Sequence, residues 1–108
     1  MTKTEKERWY KYHKQGGNPG TNRCRVNSFV CHNGTDDGHN KHELAKLEKF
    51  LVLVHAGHKV VCEAVNNKTK LRHDLVDLTD GVIYEFETDK RRAARFKGLV
   101  DVEVVMVE

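Results

Sequence analysis

Apolar and polar residues alternate with a helical period in the middle of the chain. Between residues 40 and 57 the apolar positions are three or four residues apart, which is typical of a helix with one buried side. The predicted buried arc consists of Leu44, Leu47, Phe50, Leu51 and Val54. The opposite, solvent-facing side is predicted to hold His42, Lys46 and Lys49.

The ends of this helix are predicted from its flanking residues. Asn40 is a residue type that is favoured at the N-cap of a helix, and Glu43 follows three residues later, at the capping-box spacing. Gly57 is expected to end the helix. Glu43 also falls between Phe50 and Val54 on the helical wheel, so we expect it to face the sheet rather than water.

The sequence after this helix predicts strands and one short helix. Strands are predicted at 59–65, 71–78, 82–88 and 100–107, with turns at 66–68 and at Asp80-Gly81. Asp89 is expected to cap a basic helix that ends before Gly98. The order α-β-β-β-α-β predicts an α/β fold in which helices cover a mixed sheet.

The first part of the chain has a different character. Two groups of helix-breaking residues, at 16–20 and 33–38, divide residues 1–39 into short pieces of low apolar content. We therefore interpret 1–39 as a largely irregular extension and 40–108 as the core domain. Within the extension, a helical turn is predicted over 8–14 and a short strand over 26–31.

Composition and charge narrow the class of protein. Charged residues make up 32% of the 108 residues, and no apolar run is long enough for a membrane span, so we expect a cytoplasmic protein of one domain. Three cysteines favour a reducing compartment over a disulfide framework. The net charge is +3, and residues 1–39 hold seven Lys/Arg against four Asp/Glu, whereas residues 40–108 hold twelve of each.

Acidic side chains are concentrated on the predicted hairpin. Glu85 and Glu87 share one face of their strand, opposite Tyr84 and Phe86, and the turn brings Asp74 towards them. Closely spaced carboxylates repel unless a cation neutralises them. Carboxylate oxygens suit Mg²⁺ or Mn²⁺, so this hairpin is a candidate metal site.

This hairpin resembles that of the PD-(D/E)xK nuclease superfamily. Asp74, ten intervening residues and then Glu85-Phe86-Glu87 are similar to the family motif, and the element order over roughly 40–107 is similar as well. The resemblance implies a restriction-endonuclease-like αβββαβ core, like that of archaeal Holliday-junction resolvases. It implies a Mg²⁺- or Mn²⁺-dependent endonuclease that hydrolyses DNA, with RNA left open as a substrate.

The resemblance also implies roles for individual residues. Asp74, Glu85 and the carbonyl of Phe86 would hold the metal, and Glu87 and Glu43 would orient water or a second ion. The sequence departs from the family at Glu87, where most members have Lys. Lys90, Arg91 and Arg72 are the nearest cations that could replace it. His73 is a candidate for second-sphere support or proton transfer, and Asp77 is expected on the opposite face from Asp74.

A cluster of cations follows the acidic hairpin. We predict that it contacts nucleic-acid phosphates, although a solvated helix face would have the same composition. The predicted phosphate contacts are Arg72, Lys90, Arg91, Arg92, Arg95 and Lys97. So small a core also makes a homodimer plausible.

Two other readings stay open. Glu87 in place of Lys favours a catalytically inactive nuclease-like domain that binds nucleic acid or a protein. A zinc-stabilised interaction module could instead be built from Cys24, Cys31 and His32 with His39 or His42, although the six-residue gap between the cysteines is not typical of zinc ligands.

Overall fold

The computed structural model describes residues 1–31, 37–96, 98–99 and 101–107, with the backbone alone for 37–39. Its elements follow the chain in this order: α1 (Lys3–Trp9), β1 (Tyr12–Lys14), α2 (Asp37–His55), β2 (Val60–Asn66), β3 (Arg72–Asp77), β4 (Val82–Glu87), α3 (Lys90–Ala93) with a 3₁₀ turn (Ala94–Phe96), and β5 (Val102–Met106). None of the helices in these described ranges is long and apolar enough to cross a membrane.

The strands form one five-stranded mixed sheet in the order β1-β2-β3-β4-β5. Neighbouring strands are antiparallel from β1 to β4, and β4 and β5 are parallel. A parallel pair needs a crossover, which α3 and its 3₁₀ turn provide. The predicted α/β class with a mixed sheet and helices is confirmed.

Local sequence signals account for most of the core elements. Strands β2, β3 and β4 begin and end within one residue of their predicted bounds. The side chain of Asp89 accepts a hydrogen bond from the Arg91 amide, as an N-cap does. Gly98 has φ +84°, which an L side chain adopts at a cost, so the chain turns there.

The sheet has an apolar cluster on each face. The cluster beneath α2 contains Phe50, Leu53, Val60, Cys62, Leu75, Tyr84 and Phe86. The cluster on the other face contains Tyr12, Cys24, Val61, Ala64, Val76 and Leu78. Residues of both clusters alternate along β3, β4 and the first half of β2, as expected of strands covered on both sides, and the alternation breaks between Cys62 and Ala64.

The side of α2 that faces the sheet differs from the prediction. Leu44 is 66% exposed and Leu51 is 43% exposed, whereas Lys46 is 0% exposed. The buried positions are Glu43, Lys46, Phe50 and Leu53, so the helix is rotated about its axis. The expectation that Glu43 faces the sheet is confirmed, and the solvent-facing prediction for Lys46 is wrong. The physical reason is that the sheet presents carboxylates beneath this part of α2, and Lys46 neutralises them.

The start of the helix was also placed incorrectly. Since α2 begins at Asp37, Asn40 lies within it and is not the N-cap. Capping signals cannot distinguish successive polar residues when several of them precede an apolar run.

The N-terminal residues add to the fold rather than trail from it. Helix α1 occupies 3–9, and β1 pairs with β2 through Tyr12↔Asn66. Nη1 of Arg8 donates to the carbonyls of Leu78 and Thr79 at 2.8 and 2.7 Å, which ties α1 to the β3–β4 turn. The helical turn predicted over 8–14 and the strand predicted over 26–31 are not found.

Candidate functional site

Glu63 has an unusual backbone conformation in the middle of β2. Its φ is +50°, which is rare for a residue other than glycine. Regular alternation from Cys62, which packs beneath α2, would turn Glu63 to the other face of the sheet, where Ala64 packs instead. Its carboxylate nevertheless meets Lys46 of α2. The left-handed conformation therefore turns Glu63 towards the helix.

Asp74 stands opposite Glu63 on the neighbouring strand, between two cross-strand pairs of β2 and β3. Its Oδ2 accepts the amide proton of Phe86 at 2.8 Å and lies 3.2 Å from Nε2 of His42. Since His42 belongs to α2, Asp74 faces the same side as Glu63. Two carboxylates at facing strand positions therefore share the α2 side of the sheet.

Lys46 lies between two carboxylates. Its Nζ donates to Oε1 of Glu43 at 2.9 Å and to Oε1 of Glu63 at 2.8 Å, and the side chain is 0% exposed. Burial lowers the pKa of the ammonium, but the hydrogen bonds to Glu63 and Glu43 outweigh it, so the pKa is raised overall. Lys46 therefore stays charged at neutral pH.

The cluster reaches solvent at two side chains. His42 is 21% exposed and Arg72 is 36% exposed. Nε of Arg72 lies 3.1 Å from Oε2 of Glu63, but not in the alignment of a hydrogen bond. Within the described residues, this buried oxygen accepts no hydrogen bond, although Glu63 is only 2% exposed.

We call these six residues the α2-face cluster: His42, Glu43, Lys46, Glu63, Arg72 and Asp74. The hydrogen bond with Asp74 raises the pKa of His42 to about 9, despite the opposing effect of burial. With His42 protonated, three cations balance three carboxylates. Burying an ion costs several kcal/mol unless it is paired, so the six groups depend on one another.

Glu85 lies elsewhere. Its strand neighbours Tyr84 and Phe86 pack beneath α2, so Glu85 projects to the other face of the sheet. There its Oε1 lies 2.6 Å from Nδ1 of His73. Burial, together with the charge of nearby Asp74, raises the pKa of the carboxyl despite this contact. The structure therefore does not bring Asp74 and Glu85 together on one face.

The other predicted site residues are dispersed. Glu87 is partly buried, with Oε1 at 4.0 Å from Nη2 of Arg95. Phe86 is 1% exposed, and its amide rather than its carbonyl contacts Asp74. The cations Lys90, Arg91, Arg92 and Arg95 are exposed around α3. Lys97 lies outside the described residues.

A second group of potential ligands surrounds the β3–β4 turn. In the described part of the chain, His58, Asp77 and Asp80 are the one set of three such residues whose ligand atoms all lie within 4.8 Å of one another. The set could hold a metal ion. Asp77 is fully buried and already contacts His58 at 2.7 Å and the Thr79 amide at 3.0 Å. These bonds also stabilise the turn.

Within the described residues, the cysteines do not belong to a group that could hold a metal ion. Cys24 is buried, and burial raises the pKa of its thiol to about 11, whereas Cys31 is exposed. His32 lies outside the described residues, as does the side chain of His39. In the described ranges neither cysteine belongs to a set of three close ligands.

Comparisons with protein-family models, curated proteins and solved structures gave no match. The α2-face cluster thus stands on its own geometry. Sequence reasoning found Glu43, Asp74 and Arg72 and put His42 on the solvent-facing side of the helix, but it missed Lys46 and Glu63 as site residues. Two signals could have indicated them: Lys46 lies three residues after Glu43 on the helix, and Glu63 interrupts an otherwise apolar strand.

Proposed function

We propose that this protein is a Mg²⁺- or Mn²⁺-dependent nuclease that hydrolyses DNA phosphodiester bonds, with its reaction centre at the α2-face cluster. The observation that carries the proposal is the fully buried Lys46 held between Glu43 and Glu63, with Asp74 opposite Glu63. The PD-(D/E)xK motif usually has a lysine where this chain has Glu87. Here Lys46 supplies a buried cation to Glu63, which stands opposite the matching aspartate Asp74. We also propose that residues 40–108 form a restriction-endonuclease-like core.

The proposal places a hard divalent cation at two carboxylates of this cluster. Glu63 and Asp74 would hold the ion, because carboxylate oxygens are preferred ligands of Mg²⁺. The Oε2 atom of Glu63 accepts no hydrogen bond from the residues that the structure describes. When bound, the ion would lower the pKa of a water molecule and stabilise charge on the phosphate. The strained backbone at Glu63 supports the same location, since such strain is concentrated at functional sites.

Each residue of the cluster has a distinct part in this proposal. Arg72, at the solvent edge, would bind a phosphate oxygen. Lys46 is enclosed and would act as a positioning residue that fixes the carboxylates of Glu43 and Glu63. His42 would hold Asp74 in place through its Nε2 atom.

A second candidate function is a nuclease-like domain that binds nucleic acid without cutting it. The charge balance within the α2-face cluster favours this alternative, because the carboxylates are neutralised without a metal ion. The position of Glu85, on the other face and beside His73, favours it as well.

One experiment tests both functions. Plasmid and branched DNA are incubated with Mg²⁺ or Mn²⁺ and the parent protein, Asp74→Asn, Glu63→Gln or Glu85→Gln, with an EDTA control. These substitutions preserve side-chain shape, and circular dichroism checks folding. We expect the parent and Glu85→Gln to cut, and Asp74→Asn and Glu63→Gln to be inactive.

The remaining outcomes are equally informative. Loss of cutting in Glu85→Gln would place the reaction centre on the other face of the sheet and reject the α2-face site. Cutting that persists in both Asp74→Asn and Glu63→Gln would reject it too. If the parent and all three variants bound DNA and none of them cut it, the non-catalytic alternative would be established.

A further inference from the structure

Two segments without a single acidic residue meet at the β1 edge of the sheet. Residues 8–31 and residues 64–73 contain no Asp or Glu. They are joined by the pairing of β1 with β2, and by the Asn67 amide, which donates to the carbonyl of Lys11 at 2.9 Å. Charge from both segments therefore accumulates on one part of the molecule.

The cations of these segments lie at the surface. Lys11, Lys14, Lys68 and Lys70 are exposed, and Arg23 and Arg72 are partly exposed. We call these six residues the β1-edge basic surface. Arg72 is paired with Glu63, but the other five cations have no ion-pair partner among the described residues, so this surface attracts polyanions more strongly than the net charge of +3 indicates.

An aromatic group lies on the same surface. The ring of Tyr10 is 49% exposed and stacks against that of Trp9, with centroids 5.6 Å apart and an interplanar angle of 29°. Cζ of Arg23 lies 4.3 Å from the centroid of Tyr10. Unpaired bases stack on such aromatic and guanidinium layers, whereas paired bases in a duplex do not expose their faces.

The position of Tyr10 is fixed by the β2–β3 turn. Its carbonyl accepts a hydrogen bond from Nδ2 of Asn67 at 2.9 Å and one from Nη1 of Arg23 at 3.2 Å. Asn67 is in turn 2.7 Å from Nδ1 of His13. These hydrogen bonds therefore hold the aromatic layer and the lysines of the turn together as one surface.

We infer that the β1-edge basic surface with Tyr10 binds single-stranded nucleic acid and leads the strand to the α2-face cluster through Arg72. Arg72 belongs to both features, since it follows the Lys68–Lys70 turn and contacts Glu63 at 3.1 Å. The inference rests on the proposed nucleic-acid substrate and specifies its form. It differs from the sequence prediction, which assigned strand binding mainly to the cations around α3.

The test measures fluorescence anisotropy of a labelled oligothymidylate in EDTA, so that cutting cannot affect the result. The parent is compared with Tyr10→Ala, with Tyr10→Phe and with the combined Lys11→Ala, Lys14→Ala, Lys68→Ala and Lys70→Ala variant. The matched control removes the same number of charges around α3: Lys90→Ala, Arg91→Ala, Arg92→Ala and Arg95→Ala.

We expect Tyr10→Ala to weaken binding about tenfold, within the range for one stacked base, and Tyr10→Phe to bind like the parent. The four-lysine variant should lose affinity and have a shallower salt dependence, by about 0.7 in the log–log slope for each phosphate contact removed. The α3 variant should retain more affinity than the four-lysine variant. Circular dichroism confirms that each variant is folded.

Three results would overturn the inference: no binding by the parent, an equal or larger loss in the α3 variant, or tighter binding of a duplex of the same length than of the single strand. These results are independent of the proposed catalysis. A protein that binds the oligonucleotide through this surface but does not cut DNA retains the binding inference and loses the nuclease proposal.

Discussion

Glu63 and Asp74 stand opposite each other on β2 and β3, and both carboxylates reach the face of the sheet that α2 covers. For Glu63 this orientation depends on a left-handed backbone conformation at φ +50°. A strained residue, a carboxylate pair and a buried lysine thus coincide at one place.

Backbone strain at Glu63 should reverse the usual order of glycine and alanine. Alanine normally stabilises a strand more than glycine, but at a positive φ glycine avoids the steric cost of a Cβ atom. Both Glu63→Gly and Glu63→Ala remove the carboxylate, so the comparison isolates the backbone. We expect Glu63→Gly to be more stable by about 1 kcal/mol in urea unfolding. Greater stability of Glu63→Ala would show that the strand is regular there.

Removal of the buried ammonium should be costly. In Lys46→Met the carboxylates of Glu43 and Glu63 lose their shared partner, and we expect unfolding in urea to become easier by about 3 kcal/mol. Adding Glu63→Gln to that variant removes one of the unpaired charges and should restore part of the loss. If the effects of the two substitutions on the free energy of unfolding were additive, Lys46 and Glu63 would not be coupled.

Divalent metal should stabilise the folded protein through the α2-face cluster. A ligand that binds only the folded state raises stability by about 2.7 kcal/mol at a concentration one hundred times its Kd. We expect Mn²⁺ to raise the Tm of the parent and not that of Asp74→Asn. Asp80→Asn serves as the control because it alters the His58, Asp77 and Asp80 group. If the rise in Tm with Mn²⁺ were lost only in Asp80→Asn, the metal would bind at the β3–β4 turn and not at the α2-face cluster.

Stability should depend on pH through His58. The hydrogen bond with Asp77 raises the pKa of His58 above its ordinary value of 6.5. The protonated pair therefore stabilises the fold fully below pH 6.5, and this contribution is lost as the pH rises through the raised folded-state value. Unfolding free energies of the parent and of His58→Gln should converge as the pH increases. A difference that is constant across that range would contradict the assignment.

The three thiols should differ in reactivity. Cys24 and Cys62 are buried, and burial raises the pKa of each thiol to about 11. Desolvation and Glu43 raise the pKa of the Cys31 thiol too, but Cys31 is exposed and accessible to reagents. Iodoacetamide should therefore modify Cys31 first in the folded protein, as peptide mass spectrometry would detect. Rapid modification of Cys24 or Cys62 would mean that the apolar clusters open readily.

The sequence by itself determined the elements of the core and their order. Alternating apolar positions, the Asp80-Gly81 turn and the Asp89 cap are local signals, so β2, β3, β4 and the start of α3 could be predicted closely. The same reasoning identified Asp74 and placed Glu43 towards the sheet. It did not find β1, because a three-residue edge strand has too short a pattern and forms only by pairing with β2.

Only the tertiary structure decided which charged side chains meet. The rotation of α2 depends on what the sheet presents beneath it, so Leu44 is exposed and Lys46 is enclosed, against the periodicity of the helix alone. The side to which Glu63 points depends on one backbone angle. Glu85 faces away from its expected partner Asp74 because Tyr84 and Phe86, on either side of it, pack beneath α2. Periodicity assigns faces to residues one element at a time, whereas pairing of buried charges is a property of several elements packed together.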